Sequence, residues 1–439
     1  MAQFRWQLNS DDAFHFSQAL EHYSVLEFRP HFPGYPGFYL LSCVSRFFTA
    51  SDVQAIIAVS VAATAIIPIL LAVIGYQLSG SLWVAMSVML TTISQPVLAG
   101  QALSGLTDAP AMMFFFMALV CHFYPTQRSW SVGLFLGLML ATRPSYLPLA
   151  LAFLPLLVSY QYRGRAFVEA ATPILIIGGI SALFLLNRDG MAYFDEGVRF
   201  TQGHFDIWGN TSAGDSSALM SWTHQARSSF GMLVSVVMVA AMCSAPFIRH
   251  HKVQQCGWLA LSYAAYILVA QNPENVRHLV PVLLLSLVIF YQQLYLVNLS
   301  EIKRRMLIIT ITLTLVISSI GPFSTVVSRD TPIQQAVDYI KLSAENRQVV
   351  GTNYSVNLLR NQLKQLSVYD MYYSSSEAQL LANAKQGASV WRISSSPLKE
   401  RIYHLKASFM ARFPAERSLF LYAVYEPVVN PINNNQNKK

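Results

Sequence analysis

Residues 11–36 read DDAFHFSQALEHYSVLEFRPHFPGYP and run directly toward the first long apolar segment. Two adjacent carboxylates, Asp11 and Asp12, open the stretch, and a His31-x-Pro33-x-x-Pro36 turn closes it. A polar segment dense in ionisable groups that leads straight into apolar sequence places candidate chemistry at a membrane face.

The composition agrees with that placement. Of 439 residues, 54% are hydrophobic and 12% charged, against about 25% charged in soluble domains, so the chain reads as an α-helical polytopic membrane protein. The formal charge of +8 argues little for nucleic acid, because residues 332–439 hold 13 Lys and Arg against 7 Asp and Glu. Within a membrane protein such a balance suits anionic lipid or phosphate, and no nucleic-acid partner is expected. Cys43, Cys121, Cys243 and Cys256 are scattered and suggest neither a disulfide framework nor a metal knuckle.

A spanning helix needs about 20 mostly apolar residues, and on that basis ten segments are expected: 53–76, 83–100, 109–124, 131–142, 145–160, 167–186, 229–248, 255–271, 278–297 and 306–322. The fourth and fifth are short and separated only by Thr142-Arg143-Pro144, so they also read as one broken hairpin. Orientation follows the density of basic residues in short loops. Arg128, Arg163, Arg165, Arg249, Lys252, Lys303, Arg304 and Arg305 crowd one set of loops, which is taken as cytoplasmic. The N-terminal segment 1–52, a loop at 187–228 and a C-terminal domain at 323–439 then face outward. An outward start with no apolar helix before it leads to the expectation that a first spanning helix is missing. The tail alternates strand-like runs (348–352, 366–369, 389–393, 419–425) with helical stretches, as in a small α/β domain, and ends in a polar, disordered-looking run at 430–439.

Three further ionisable residues fall on the outward side: Asp108 in SGLTDAP, Arg143 in ATRPSY and Arg277 in PENVRHLVP. Charge at membrane depth is costly and commonly faces a cavity or a partner. A carboxylate can take a proton from an attacking hydroxyl, and guanidinium groups can hold a phosphate. The set suits transfer from a phosphate-activated donor carried in the membrane. In the 187–228 loop, Tyr193, Asp195, Glu196, Arg199, His204, Asp206 and Trp208 form an aromatic and acidic cluster suited to holding a sugar or ordering a lid.

The acidic pair, the His-Pro turn, Thr107-Asp108 at a helix head, Thr142-Arg143-Pro144 and Arg277-x-Leu279-x-Pro281 together resemble the GT-C class of integral-membrane glycosyltransferases, which includes the protein O-mannosyltransferases and the aminoarabinose transferases. The resemblance covers residues 9 to about 300, with a looser likeness in the outward tail. It implies an inverting glycosyltransferase, multi-pass in a bacterial inner membrane, that moves a sugar from a polyprenyl-phosphate donor to a hydroxyl of a lipid, glycan or protein acceptor on the non-cytoplasmic face, with membrane lipids as its surroundings. By the same resemblance Asp11 is the catalytic base, Asp12 and Asp108 orient the acceptor, and the three could bind a divalent cation (Mg or Mn). His31, Arg143 and Arg277 meet the donor phosphate, and Tyr193, Glu196, Arg199 and His204 form a substrate loop. Two departures stand out: the family's first helix is absent, and its second His-Pro-Pro proline is displaced to Pro33.

Plainer readings exist for each. Asp11 and Asp12 can cap the helix they precede, Asp108 can start its helix, and Arg143 and Arg277 can anchor at headgroups. Adjacent His250 and His251 fit a solvated basic loop, and sequons at Asn210, Asn298 and Asn353 are read as chance. Rival functions are a lipid-linked saccharide transporter or flippase, which would need midplane charge or repeats, a polymerase or ligase using Arg199 and His204, and a scaffold.

Overall fold

The computed structural model describes residues 6–124, 129–158, 163–208, 218–273, 275–343, 348–413 and 416–424, with backbone alone at 158, 163, 204–208 and 218–219. The chain divides into two compact units. The first contains Trp6, His15–Arg329 and Phe413; the second contains Gln7–Phe14, Asp330–Arg412 and residues 416–424.

In the first unit every apolar segment of the sequence is helical among the described residues. Five helices are long and apolar enough to cross a bilayer: Asp52–Ser79, Gly164–Asp189, His251–Ala270, Val276–Leu296 and Glu301–Ser328. Leu82–Ile93 and Pro96–Ala102 form a pair bent by 64°, where a single straight segment 83–100 was expected. Pro96 explains the bend, since it has no N–H to donate and holds Gln95 in an extended conformation. Asp108–Phe123, Ser129–Thr142, Pro144–Leu157 and Met232–Phe247 are shorter apolar helices. The protein is thus a multi-pass integral membrane protein.

Helix junctions in this unit are set by glycine. A Cβ on Gly133 would collide with the Ala170 carbonyl, and one on Gly37 would come 2.8 Å from Ala141 C and Thr142 N. The second contact lets helix Pro36–Arg46 approach the chain just where Arg143 emerges.

Residues 187–228, expected as a loop, are largely helical: Ala192–Trp208 and Ala218–Phe230. Tyr193, Gly197 and Phe200 recur at helical spacing and pack on Phe32 or His31. That one-sided contact is the pattern of a half-buried helix. The helix Glu301–Ser328 carries Pro322 inside it without ending there, and the C-terminal part of the second unit starts at Asp330, where 323 was expected.

The second unit is built on a five-stranded sheet of order β2-β1-β3-β5-β4. Its strands are β1 (Gln348–Thr352), β2 (Ser367–Asp370), β3 (Ser389–Ser394), β4 (Tyr403–Phe409) and β5 (Leu419–Val424). β1 pairs in parallel with β2 and β3, while β5 runs antiparallel between β3 and β4. Helices Val356–Gln362 and Ser374–Lys385 make the connections that parallel neighbours require. β4 was not expected from the sequence. It is an edge strand exposed at His404, Leu405 and Lys406, with an irregularity between Leu405 and Ala407 that breaks the inside-outside alternation. The expected disorder at 430–439 lies outside the described residues.

Candidate functional site

The first unit brings Asp108 and Arg143 together. Asp108 heads helix Asp108–Phe123, with Pro110 in the first turn where a missing N–H costs nothing. Arg143 occupies the break between Ser129–Thr142 and the short turn Pro144–Tyr146, kept out of the helical conformation by the proline after it. Both side chains are buried. Arg143 Nη1 lies 3.1 Å from Asp108 Oδ2 and donates to Thr107 Oγ1 at 2.7 Å. The guanidinium also stands over the Tyr146 ring, 5.5 Å from its centroid.

The pair leaves hydrogen-bonding capacity unspent. Among the described residues neither Asp108 oxygen completes a hydrogen bond, and Arg143 Nε, Tyr146 OH and Thr142 Oγ1 have no partner. Buried polar atoms are nearly always satisfied, so a cluster of exceptions calls for a reason. Here they present donors from an arginine and a phenol beside a carboxylate, the valences that an anionic, hydroxyl-bearing ligand would fill. Tyr146 is also within electrostatic range of Arg277, and Arg143 within that of Tyr35. Tyr146 packs edge-on against Tyr263, which stacks on Tyr266.

His31 joins through Tyr35, whose hydroxyl lies 2.9 Å from His31 Nε2. Tyr35 has a φ of 53°, a left-handed conformation unusual for a residue with a side chain. The turn is fixed from several sides. Asp189 accepts from Ser24 Oγ (2.6 Å) and Val25 N (2.8 Å), and Tyr23 OH donates to the Gly34 carbonyl at 2.8 Å. His31 also stacks on Phe200, with centroids 5.6 Å apart.

Of the expected substrate loop, Tyr193 donates to the Pro33 carbonyl at 3.3 Å and packs on Phe32. Burial, and then the charge of Asp189, push its phenol above the usual tyrosine range, so it stays a neutral donor. Glu196 is buried and pairs with Arg199, one turn on in the same helix, at 2.7 Å. His204 is in that helix, and its side chain lies outside the described residues, as do those of Asp206 and Trp208.

Asp11 and Asp12 fall in the second unit. Asp11 begins helix Asp11–Ala19, yet its carboxylate accepts from Asn357 N at 3.3 Å and Leu358 N at 2.9 Å. No three His, Cys, Asp or Glu side chains gather as a metal-ligand set among the described residues. Asp108 has Arg143 as its counter-charge.

Sequence reasoning named Asp108, Arg143, Arg277 and His31 but missed Thr107, Tyr146 and Tyr35. Thr107 and Tyr146 lie inside the quoted motifs TDAP and TRPSY; a tyrosine there reads as one more interfacial aromatic, and only the missing hydrogen-bond partner sets it apart.

No protein-family profile matches the chain, and no curated protein matches it by sequence. Solved structures do match. The crystal structure of ArnT from Cupriavidus metallidurans in the apo state superposes with a TM-score of 0.51 at 12% identity, covering 96% of this chain and 95% of that one. The structure of the same protein bound to undecaprenyl phosphate gives 0.56 at 11% identity, with the same coverage. At such identity the likeness is one of architecture: this chain shares the fold of ArnT.

Proposed function

We propose that this protein is an inverting glycosyltransferase that moves a sugar from a polyprenyl-phosphate-linked donor to an acceptor hydroxyl on the non-cytoplasmic face. The observation that carries the reading is the buried Asp108–Arg143 pair with its unspent donors. In this reading Arg143 and Tyr146 take the donor phosphate, with Arg277 adding charge, and Asp108 holds the guanidinium and receives sugar hydroxyls. A departing phosphate needs charge neutralisation more than a proton, which arginine supplies without giving up its own. The solved ArnT structure with undecaprenyl phosphate supports a lipid phosphate as the leaving group.

The acidic pair Asp11–Asp12 supplies the base. The acceptor oxygen bonds to the anomeric carbon, its proton passes to a carboxylate, and the carbon–oxygen bond to the phosphate breaks with its electron pair leaving on the lipid phosphate. Backside attack inverts the anomeric centre.

Purified protein in lipid, supplied with labelled polyprenyl-phosphate sugars and membrane extract, is expected to transfer label, and Arg143→Ala to end transfer. Label crossing the bilayer unchanged in sealed vesicles, with none transferred, would favour the transporter instead.

A further inference from the structure

We propose that Gln101 and Trp222 form an uncharged saccharide subsite in the core of the first unit; this rests on the glycosyltransferase reading and adds residues that hold a sugar ring. Helix Pro96–Ala102 turns Val97, Leu98 and Gln101 to one side, since three and four residues separate them. Val97 and Leu98 belong to the apolar core that also contains Tyr146, Trp222, Val276 and Leu279. Helix Ala218–Phe230, which carries Trp222, packs against both Pro96–Ala102 and the turn Val276–Leu279 that carries Arg277. The two side chains therefore enter one core from neighbouring elements.

Unspent hydrogen bonding sets them apart. The other buried glutamines of the first unit each use one end of the amide: Gln95 donates to the Thr91 carbonyl at 3.0 Å, Gln292 to the Leu78 carbonyl at 3.3 Å, and Gln255 meets His122 at 3.3 Å. Gln101 is 6% exposed and uses neither end. Trp222 is 2% exposed and its indole N–H has no acceptor, whereas the more exposed Trp258 gives its own to the Ala152 carbonyl at 2.8 Å. A buried polar group left bare is costly, and buried tryptophan N–H groups usually find a partner.

The chemistry of the pair points to the ligand. A carboxamide offers donors and an acceptor, and an indole offers one donor and an apolar face. Neither is charged, so the pair adds nothing to the hold of Arg143 and Arg277 on a phosphate. A polyprenyl tail has no polar atoms to satisfy them. A sugar ring does, with hydroxyls that donate and accept and a C–H face that packs on an indole. Donor sugar and glycan acceptor share this chemistry, and measurement separates them.

Full-length protein in lipid nanodiscs, isotope-labelled at tryptophan nitrogen, should give one indole signal that Trp222→Phe removes. That signal should shift when a panel of polyprenyl-phosphate sugars is added and stay in place with polyprenyl phosphate alone; a shift with soluble oligosaccharide only would assign the subsite to the acceptor. In transfer, Gln101→Met and Trp222→Phe should raise the KM of the substrate that carries the sugar by about 2–10-fold per hydrogen bond lost. Gln101→Met removes a bare amide at similar volume, so its unfolding midpoint should hold or rise. An indole signal indifferent to every sugar probe would overturn the proposal, as would unchanged KM values in both variants. Should wild type transfer nothing, the glycosyltransferase reading falls by itself, and the indole response to sugar still decides the subsite.

Discussion

Arg412–Glu416 in the second unit and Arg143–Asp108 in the first are both buried ion pairs, and they are finished differently. Glu416 accepts the Arg412 backbone amide at 2.8 Å, Nε on both oxygens and Nη2 at 2.8 Å. Arg392, also buried in that unit, donates to the Ile393 and Gly351 carbonyls. Asp108 has a counter-charge but no completed hydrogen bond, and Arg143 Nε and Tyr146 OH are left over. A buried charge with every valence filled holds structure together, because removing a partner leaves an uncompensated ion. One with open valences carries its cost for something that binds there.

The largest expected effect tests the finished pair. Glu416→Gln should destabilise the second unit by about 3–5 kcal/mol, read as loss of amide protection in β3 and β5. Next, Asp108→Asn should lower transfer about 10²-fold; because it also leaves Arg143 buried without its counter-charge it costs stability as well, and a destabilised variant that transfers at the wild-type rate would break the contrast. Tyr146→Phe should raise the donor KM by about 10–100-fold, the loss of one hydrogen bond to a charged group, with stability unchanged or slightly higher. A fall in stability at constant KM would make Tyr146 structural.

The smallest effect is a pH dependence within the second unit. Burial, then the charge of Glu377, push the Tyr403 phenol up to about 12, from about 10 in an unfolded chain. The fold therefore prefers the neutral phenol. Its contribution to stability is complete below pH 10 and is lost as the pH rises toward 12. Unfolding followed from pH 9 to 11.5 should show a decline above pH 10 that Tyr403→Phe flattens.

Apolar length located the ten segments as helices, but among the described residues only five of them, or six with the bent pair counted as one, are long enough to meet the minimum run a bilayer imposes; prolines announced the break at Arg143. The bend at Pro96 leaves no mark in apolar length, because the run stays apolar through it. Four of the five strands were legible as short apolar runs; β4 was not, since an edge strand with an irregularity shows no alternation. In the candidate site, ionisable residues drew notice because charge in apolar sequence is conspicuous. Tyr146 became notable only through an absent partner, which no local pattern records. The attachment of Asp11 to Leu358 was also illegible, since backbone amides carry no residue identity.

The closing of the second unit by residues 7–14 also fixes an order of events during synthesis. The amide of Leu358 is made 347 residues after its partner Asp11. At about 5–20 residues per second, the acidic segment exists for roughly 20–70 s before the domain that receives it. Through that interval the nascent chain carries its two leading carboxylates without their final anchor. The second unit is thus completed last, after the membrane-spanning part has been made, and a chain released early lacks the amides that hold Asp11.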